Sequence, residues 1–205
     1  MKKLVILLGL MFALQAAMMA QVTTGNITFN AHLNQTFNLI IVNGGVQEIT
    51  FANAADYNYG VIEGVGILPG TSLINIEATE DWDLTIECPD FLPFGPTPGT
   101  GTITIDNLGY KITDNGNNTL VGGQVTYTGG NPDPVKLTNA TAPLISNGPN
   151  HDAGDALDNA FTLHWQMGTM LGNMNHTSMF AQMAAGLFTT GDFQAVALLT
   201  LNPAP

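Results

Sequence analysis

Basic residues are nearly missing from this chain, which has four lysines and no arginine against 16 aspartates and glutamates. The formal net charge is −12 at pH 7, although only 10% of the residues are charged. A surface with this balance repels phosphate backbones and anionic lipid headgroups. We therefore expect no nucleic-acid partner and no binding to an anionic bilayer surface.

Cysteine occurs only once, at Cys88. A single thiol excludes an internal disulfide, so the apolar core has to hold the fold together. Because Cys88 follows the alternating residues 82–86, we expect it at the end of a strand, buried as a small hydrophobic residue. Pairing with a cysteine of another chain is the alternative.

The residue patterns of common catalytic sites are also missing. None of Ser72, Ser146 and Ser178 lies in a G-x-S-x-G turn, and the chain has no H-E-x-x-H motif or phosphate-binding glycine loop. Paired carboxylates for glycoside cleavage need only be about 5 to 9.5 Å apart in space, so an exported hydrolase stays open as an alternative. We predict no enzyme activity, no catalytic residue and no cofactor.

Long apolar runs are missing except in residues 4–14, which follow Lys2 and Lys3 and precede small residues that end at Ala20. This pattern predicts a secretory signal peptide over residues 1–20 and a single mature domain over residues 21–205. The mature chain would keep Lys111 and Lys136 against 16 acidic residues, a formal charge of −14. We expect it at the bacterial cell surface or secreted, without membrane insertion.

What the chain does have is short stretches of alternating apolar and polar residues, separated by Gly, Pro and Asn. This pattern predicts an all-β protein, an antiparallel β-sandwich of the Ig-like or pilin-like kind. The predicted strands cover residues 27–33, 37–42, 46–51, 61–68, 73–78, 82–86, 102–105, 110–113, 125–128, 160–166 and 193–201.

Four local expectations accompany these strands. Asn43-Gly44-Gly45 predicts a hairpin between residues 37–42 and 46–51. Residues 129–159 predict long surface loops with one short edge strand near 135–137. Trp82 and Trp165 are expected as core anchors. Residues 178–185 are too few to distinguish a helix closed by Gly186 from a strand.

Two clusters suggest metal ligands. Asp152, Asp155 and Asp158 offer carboxylate oxygens of the kind that calcium prefers, although their spacing is not that of an EF-hand. We favour a solvated acidic loop. Thioethers could bind Cu(I) together with His164 and His176, but we favour packing or subunit contact. Every methionine outside the predicted leader belongs to this second cluster: Met167, Met170, Met174, Met179 and Met183.

The segment Asp56-Tyr57-Asn58-Tyr59-Gly60-Val61, the strand around Trp82 and the stretch from Gln182 to Phe193 resemble secreted β-sandwich proteins of Gram-negative bacteria. The pattern is similar to pilin-like and spore-coat-U-like sandwiches. The resemblance implies an extracellular structural protein, sometimes a fibre subunit, with no catalytic residues. Unlike chaperone–usher pilins, which usually have a disulfide, this chain has one cysteine.

Together these patterns predict a non-enzymatic extracellular or cell-surface structural protein. Residues 21–33 form a short alternating segment that could add to the sheet edge of a neighbouring copy, as in a self-assembling fibre. The expected partners are further copies or other cell-surface proteins. A carbohydrate-binding module or adhesin is the alternative, because sandwiches often present aromatic side chains to glycans. Its candidate residues are Tyr57, Tyr59, Tyr110 and Tyr127.

Overall fold

Apolar and polar residues alternate most clearly over residues 71–87, where the structure has two strands with alternately buried side chains. This computed structural model describes residues 35–62, 70–129 and 133–205. Successive side chains of a strand point to opposite faces, so the alternation places one face of each strand in the core.

The strands and helices are named here in chain order. The strands are β1 (Phe37–Asn43), β2 (Val61–Ile62), β3 (Thr71–Ala78), β4 (Trp82–Glu87), β5 (Leu92–Pro93), β6 (Leu108–Asp114), β7 (Val125–Thr126), β8 (Val135–Lys136), β9 (Ala142–Asn147), β10 (Gly154–Met167), β11 (Phe193–Gln194) and β12 (Leu198–Pro203). The helices are α1 (Ala54–Tyr59) and α2 (Met179–Ala184), and Ile105–Asn107 forms a 3-10 turn. Neither helix in the described part is long and apolar enough to cross a membrane.

All the strand pairings between these elements are antiparallel. The first sheet has the order β1-β3-β10-β6-β8, with β2 also paired to β10. The second sheet has the order β12-β4-β9-β7, and β11 pairs with β5 in a small third sheet. The prediction of an all-β, sandwich-like fold is therefore confirmed.

Apolar side chains from both larger sheets form the main core. Trp82 and Phe161 are completely buried, and their rings meet edge to face with centroids 5.9 Å apart. Trp165, from β10, packs in the same way against Tyr110, with centroids 6.2 Å apart. Cys88 is also buried. The expectations for both tryptophans and for the thiol are confirmed.

The predicted hairpin is wrong. β1 pairs with β3, in a register that places Phe37 opposite Ala78, and the described residues 44–53 contain no strand. Gly44 has a φ of 68° and turns the chain away from β1. Gln47 then donates hydrogen bonds through its side chain to Gly44 O and Thr71 O, at 2.8 and 3.2 Å. These bonds hold the segment against the start of β3.

The prediction of long loops over residues 129–159 is also wrong, but the short edge strand expected near residues 135–137 is confirmed as β8, at the edge of the first sheet. The segment contains β8, β9 and the first residues of β10, and β9 lies between β4 and β7. β9 and the start of β10 were not predicted because they contain residues that are uncommon in strands. Pro143 lies within β9, and Asp155 and Asp158 lie within β10. A register shift between Gly154 and Asn159 accommodates the acidic residues as a bulge.

The other predicted elements differ in extent. Residues 178–185 contain helix α2, capped by the Ser178 hydroxyl, which accepts a bond from Ala181 N. The last predicted strand is divided into β11 and β12. β2 covers Val61 and Ile62 of the predicted strand 61–68, and residues 63–68 lie outside the described residues. The signal peptide and the predicted strand 27–33 lie outside the described residues.

Replacing Gly44 with alanine should destabilise the protein by about 2 kcal/mol or more. A β-carbon there would lie 2.1 Å from Thr71 O, on a backbone that L-residues rarely adopt. Gly45→Ala is the matched control, because its nearest neighbour would be a methyl group at 3.7 Å. It should change the free energy of unfolding by less than about 0.5 kcal/mol. Equal losses of unfolding free energy in the two variants, measured by urea denaturation, would contradict this role of Gly44.

Candidate functional site

The two larger sheets have their edge strands β1 and β12 on the same side of the sandwich. Among the described residues, β1 pairs only with β3 and β12 only with β4. The two edge strands also contact each other. Phe37, Leu39 and Leu201 pack against the main core, so the sandwich is closed near the start of β1.

Near the end of β1, a groove of about 790 Å³ opens between the sheets, and we call it the interlayer groove. Ile74, Leu163 and Trp165 of the first sheet line it, and Ile86 and Leu199 of the second sheet face them. Ile41 and Val42 leave the core at this point and are half exposed. The groove therefore brings side chains of the main core within reach of a ligand or a further chain segment.

Two segments border the groove: residues 44–50, which contain no strand, and residues 191–197, which contain the two-residue strand β11. Ser72 holds the first segment, since its hydroxyl donates to Gly44 O at 2.6 Å and accepts from Trp165 Nε1 at 2.9 Å. The second segment is held by Asp192, whose carboxylate accepts a 2.6 Å bond from the Thr97 hydroxyl. Side-chain hydrogen bonds thus fix the border of the groove.

A second, smaller cavity adjoins the groove, and we call it the aromatic pocket. Its volume is about 130 Å³, and Gln47, Ile49, Phe91, Gly191 and Phe193 line both spaces. The pocket lies within a separate apolar cluster around Ile103, Met167, Met179 and Phe188. Its aromatic lining residues are Phe51, Tyr57, Phe91, Phe188 and Phe193.

Asp152 lies in the chain just before β10 and is completely buried against Trp82, the first residue of β4. Its Oδ1 accepts a 3.0 Å bond from Trp82 N, and its backbone carbonyl accepts bonds from Trp82 Nε1, Asn118 Nδ2 and Asn159 Nδ2 at 2.9 to 3.0 Å. Its Oδ2 has no hydrogen-bond partner among the described residues. Burial raises the pKa of Asp152 to about 7, and the nearby carboxylates of Asp81 and Asp83 add to the shift.

An ion pair lies beside this buried carboxyl group. Asp81 Oδ2 is 2.6 Å from His151 Nδ1, and Asp81 Oδ1 accepts a bond from Asp152 N at 3.2 Å. The hydrogen bond from His151 lowers the pKa of Asp81 and raises that of the imidazole. The group ties the β3–β4 turn to the chain before β10, so its geometry supports a structural role.

The three aspartates proposed for calcium do not converge. Asp152 bonds to Trp82, Asp155 accepts from the backbone of Leu157 at 2.7 Å, and Asp158 accepts from Asn117 at 2.9 Å. The prediction of a solvated loop is wrong at Asp152, which is buried. In the described part of the chain, no group of three or more His, Cys, Asp or Glu side chains is arranged to hold a metal ion.

The five methionines of this cluster lie in three different environments. Met167, Met179 and Met183 line the aromatic pocket. Met174 is buried against Gly109, where an added β-carbon would lie 2.2 Å from its sulfur. Met170 is 41% exposed. Packing, the favoured interpretation, accounts for the buried members, and Cu(I) binding by this cluster with His164 and His176 stays the alternative.

The four tyrosines proposed for glycan binding differ in their exposure to solvent. Tyr110 is buried in the core, and Tyr127 is half-buried with its hydroxyl 3.1 Å from Asp114 Oδ2. Tyr57 packs against Phe51, and Tyr59 is 71% exposed. The structure therefore offers one of these four rings openly to a sugar.

Cys88 also lines the interlayer groove, and we expect it to react slowly with alkylating reagents. Burial raises the pKa of its thiol to about 11, and the Asp90 carboxylate adds to the shift. At pH 8 the thiolate fraction should make alkylation by iodoacetamide about 100-fold slower than in urea, followed by mass spectrometry. Equal rates in the native and denatured chain would contradict the buried position.

Sequence patterns indicated the apolar core but neither the groove nor the buried carboxyl group. A groove depends on how far two sheets separate, which alternation does not encode. Asp152 carried no signal either, since an acidic run ordinarily indicates solvent exposure. No protein-family model matches this chain, and no curated protein matches it closely enough to be a relative.

Proposed function

We propose that this protein is a non-enzymatic extracellular structural subunit that assembles with further copies by strand exchange. Residues 21–33 of one copy would fill the interlayer groove of the next copy. The observation that carries the proposal is a groove lined by core side chains between the edge strands β1 and β12. Edge strands present backbone N–H and C=O groups on which a further strand can pair.

The composition of residues 21–33 suits this groove. The segment has no aspartate, glutamate, lysine or arginine, so its insertion would bury none of these charges. In an extended strand its alternate residues fall on opposite faces. Over residues 27–33 one face would be apolar and turn to the groove, and the other would be polar and turn to water. The apolar face consists of Ile27, Phe29, Ala31 and Leu33.

The direction of the chain favours donation to another copy. Residues 35 and 36 continue past the start of β1, where Thr36 N donates to Thr79 Oγ1 at 2.9 Å and Thr36 O accepts from Thr79 N at 3.1 Å. The chain therefore enters β1 at its closed end, whereas the groove opens near Ile41. To fill its own groove the segment would have to reverse direction. A head-to-tail contact between copies produces open filaments when its rotation does not close into a ring.

Electron microscopy and sedimentation of purified residues 21–205 test this proposal. We expect filaments or a concentration-dependent series of oligomers. Ile27→Asp should weaken assembly by at least about 100-fold, because it would bury a charge in an apolar groove. Thr28→Asp is the matched control, since residue 28 would face water, and it should retain most of the assembly.

A second experiment uses a chain that lacks residues 21–33. We expect it to be monomeric with an unchanged β-rich circular-dichroism spectrum. A synthetic peptide of residues 21–33 should bind to it with 1:1 stoichiometry and slow the alkylation of Cys88, which lines the groove. A monomeric full-length protein together with no peptide binding would refute strand exchange.

A further inference from the structure

We propose that the aromatic pocket binds a small, uncharged molecule built on a single aromatic ring. This inference is independent of strand exchange, because the residues that carry it all belong to the described fold. The cavity has a volume of about 130 Å³. An apolar protein cavity of about 150 Å³ is large enough to hold benzene, so the pocket has the capacity for one ring.

The walls of the pocket suit a ring by shape and by electrostatics. Phe188 and Phe193 meet edge to face with centroids 6.1 Å apart, and Phe51 and Tyr57 are tilted with centroids 5.2 Å apart. Tilted and edge-to-face contacts are the favoured geometry of aromatic groups, and a bound ring could make them with either pair. Thioether sulfurs, here including that of Met183, also interact favourably with rings.

The uncharged lining of the pocket and its exposed rim favour a small, uncharged ligand. Every side chain that the structure places along this pocket is uncharged, so a carboxylate or ammonium group would be buried without a partner. Thr189 and Thr190 are exposed residues that form part of the lining. They provide a rim through which a small molecule can enter while the remaining walls stay packed.

Toluene titration followed by saturation-transfer NMR tests the inference, with benzoate as a charged ligand of the same ring. We expect saturable toluene binding with a Kd on the order of 0.1 to 1 mM, and binding of benzoate at least about tenfold weaker. Thr190→Phe should block the rim and weaken toluene binding at least tenfold. Thr138→Phe, at an exposed threonine outside the pocket, should leave it unchanged.

Phe29 of the N-terminal segment is the competing occupant, because it is the one aromatic residue among residues 21–33. The Phe29→Ala variant separates the two sources of a ring. Equal toluene binding by the wild type and this variant supports a site for free ligands. Toluene binding only after Phe29→Ala would assign the pocket to the chain's own segment and overturn the inference. Absence of saturable binding in both proteins would overturn it as well.

Discussion

Raising the pH from 5 to 8 should lower the free energy of unfolding by about 2 to 3 kcal/mol through one carboxyl group. That group is Asp152, which is completely buried and whose pKa is raised by burial to about 7 from an ordinary value of 3.8. Most acidic side chains stabilise a fold when they ionise. Asp152 does the opposite, because its Oδ2 has no hydrogen-bond partner in the described structure and its neighbours Asp81 and Asp83 are acidic.

The direction follows from where the proton is bound. In the unfolded chain Asp152 loses its proton near pH 3.8, whereas the folded protein keeps it until about pH 7. Folding therefore takes up a proton between these two values, and stability is lost as the pH rises through that range. Above about pH 7 both states are ionised, and this contribution no longer changes.

The measurement is urea denaturation at a series of pH values above the isoelectric point of about 4.2. Asp152→Asn keeps an acceptor for Trp82 N but cannot ionise, so its stability should vary with pH by about 2 to 3 kcal/mol less than that of the wild type. Asp155→Asn, which removes an exposed carboxylate from the same part of the chain, should keep the wild-type slope. An unchanged slope in Asp152→Asn would refute the assignment.

The ion pair between Asp81 and His151 also contributes to the pH dependence of stability, so the contribution of Asp152 has to be isolated with the Asp152→Asn variant. The pKa of Asp81 is lowered, so its contribution is present above its ordinary value and lost as the pH falls. The pKa of His151 is raised, so its contribution is present at low pH and lost as the pH rises through the folded value. The two partners therefore act in opposite directions in the wild type, and both remain in Asp152→Asn.

Local alternation was enough to predict the strands whose two faces differ. β3 and β4 lie within a few residues of their predicted bounds because every second side chain is buried. Pairing could not be predicted in the same way. β1 joins β3 across about 30 residues, whereas the turn signal at Gly44 indicated the next segment along the chain. The glycine does make a turn, but its carbonyl accepts hydrogen bonds from the side chains of Gln47 and Ser72 rather than from a paired strand.

The burial of particular polar residues was the second feature that could not be predicted from the sequence. Asp152 and Asn159 lie in an acidic run, yet both are completely buried. Asn159 donates to Asp152 O, and Asp152 in turn accepts from Trp82. Only the tertiary fold brings those partners together, so composition indicates a solvated loop. The interlayer groove has the same origin, since it is bordered by residues that are about 150 positions apart, such as Gly44 and Gln194.

Truncating Phe161 to alanine should lower the free energy of unfolding by about 3 to 5 kcal/mol. Its ring is completely buried at the centre of β10 and meets Trp82 edge to face, so the change leaves a cavity between the two sheets. Small domains have about 5 to 15 kcal/mol of stability in total, so much of it depends on this contact.

Phe180→Ala is the matched control for this truncation, because it removes the same ring from an exposed position in α2, 57% accessible to solvent. It should cost less than about 0.5 kcal/mol, and Phe161→Leu should fall between the two variants because leucine fills part of the cavity. Urea denaturation at a single pH measures all three. If Phe161→Ala and Phe180→Ala cost the same, the two sheets are not joined through Phe161 and Trp82, and the interlayer groove loses the core that defines its walls.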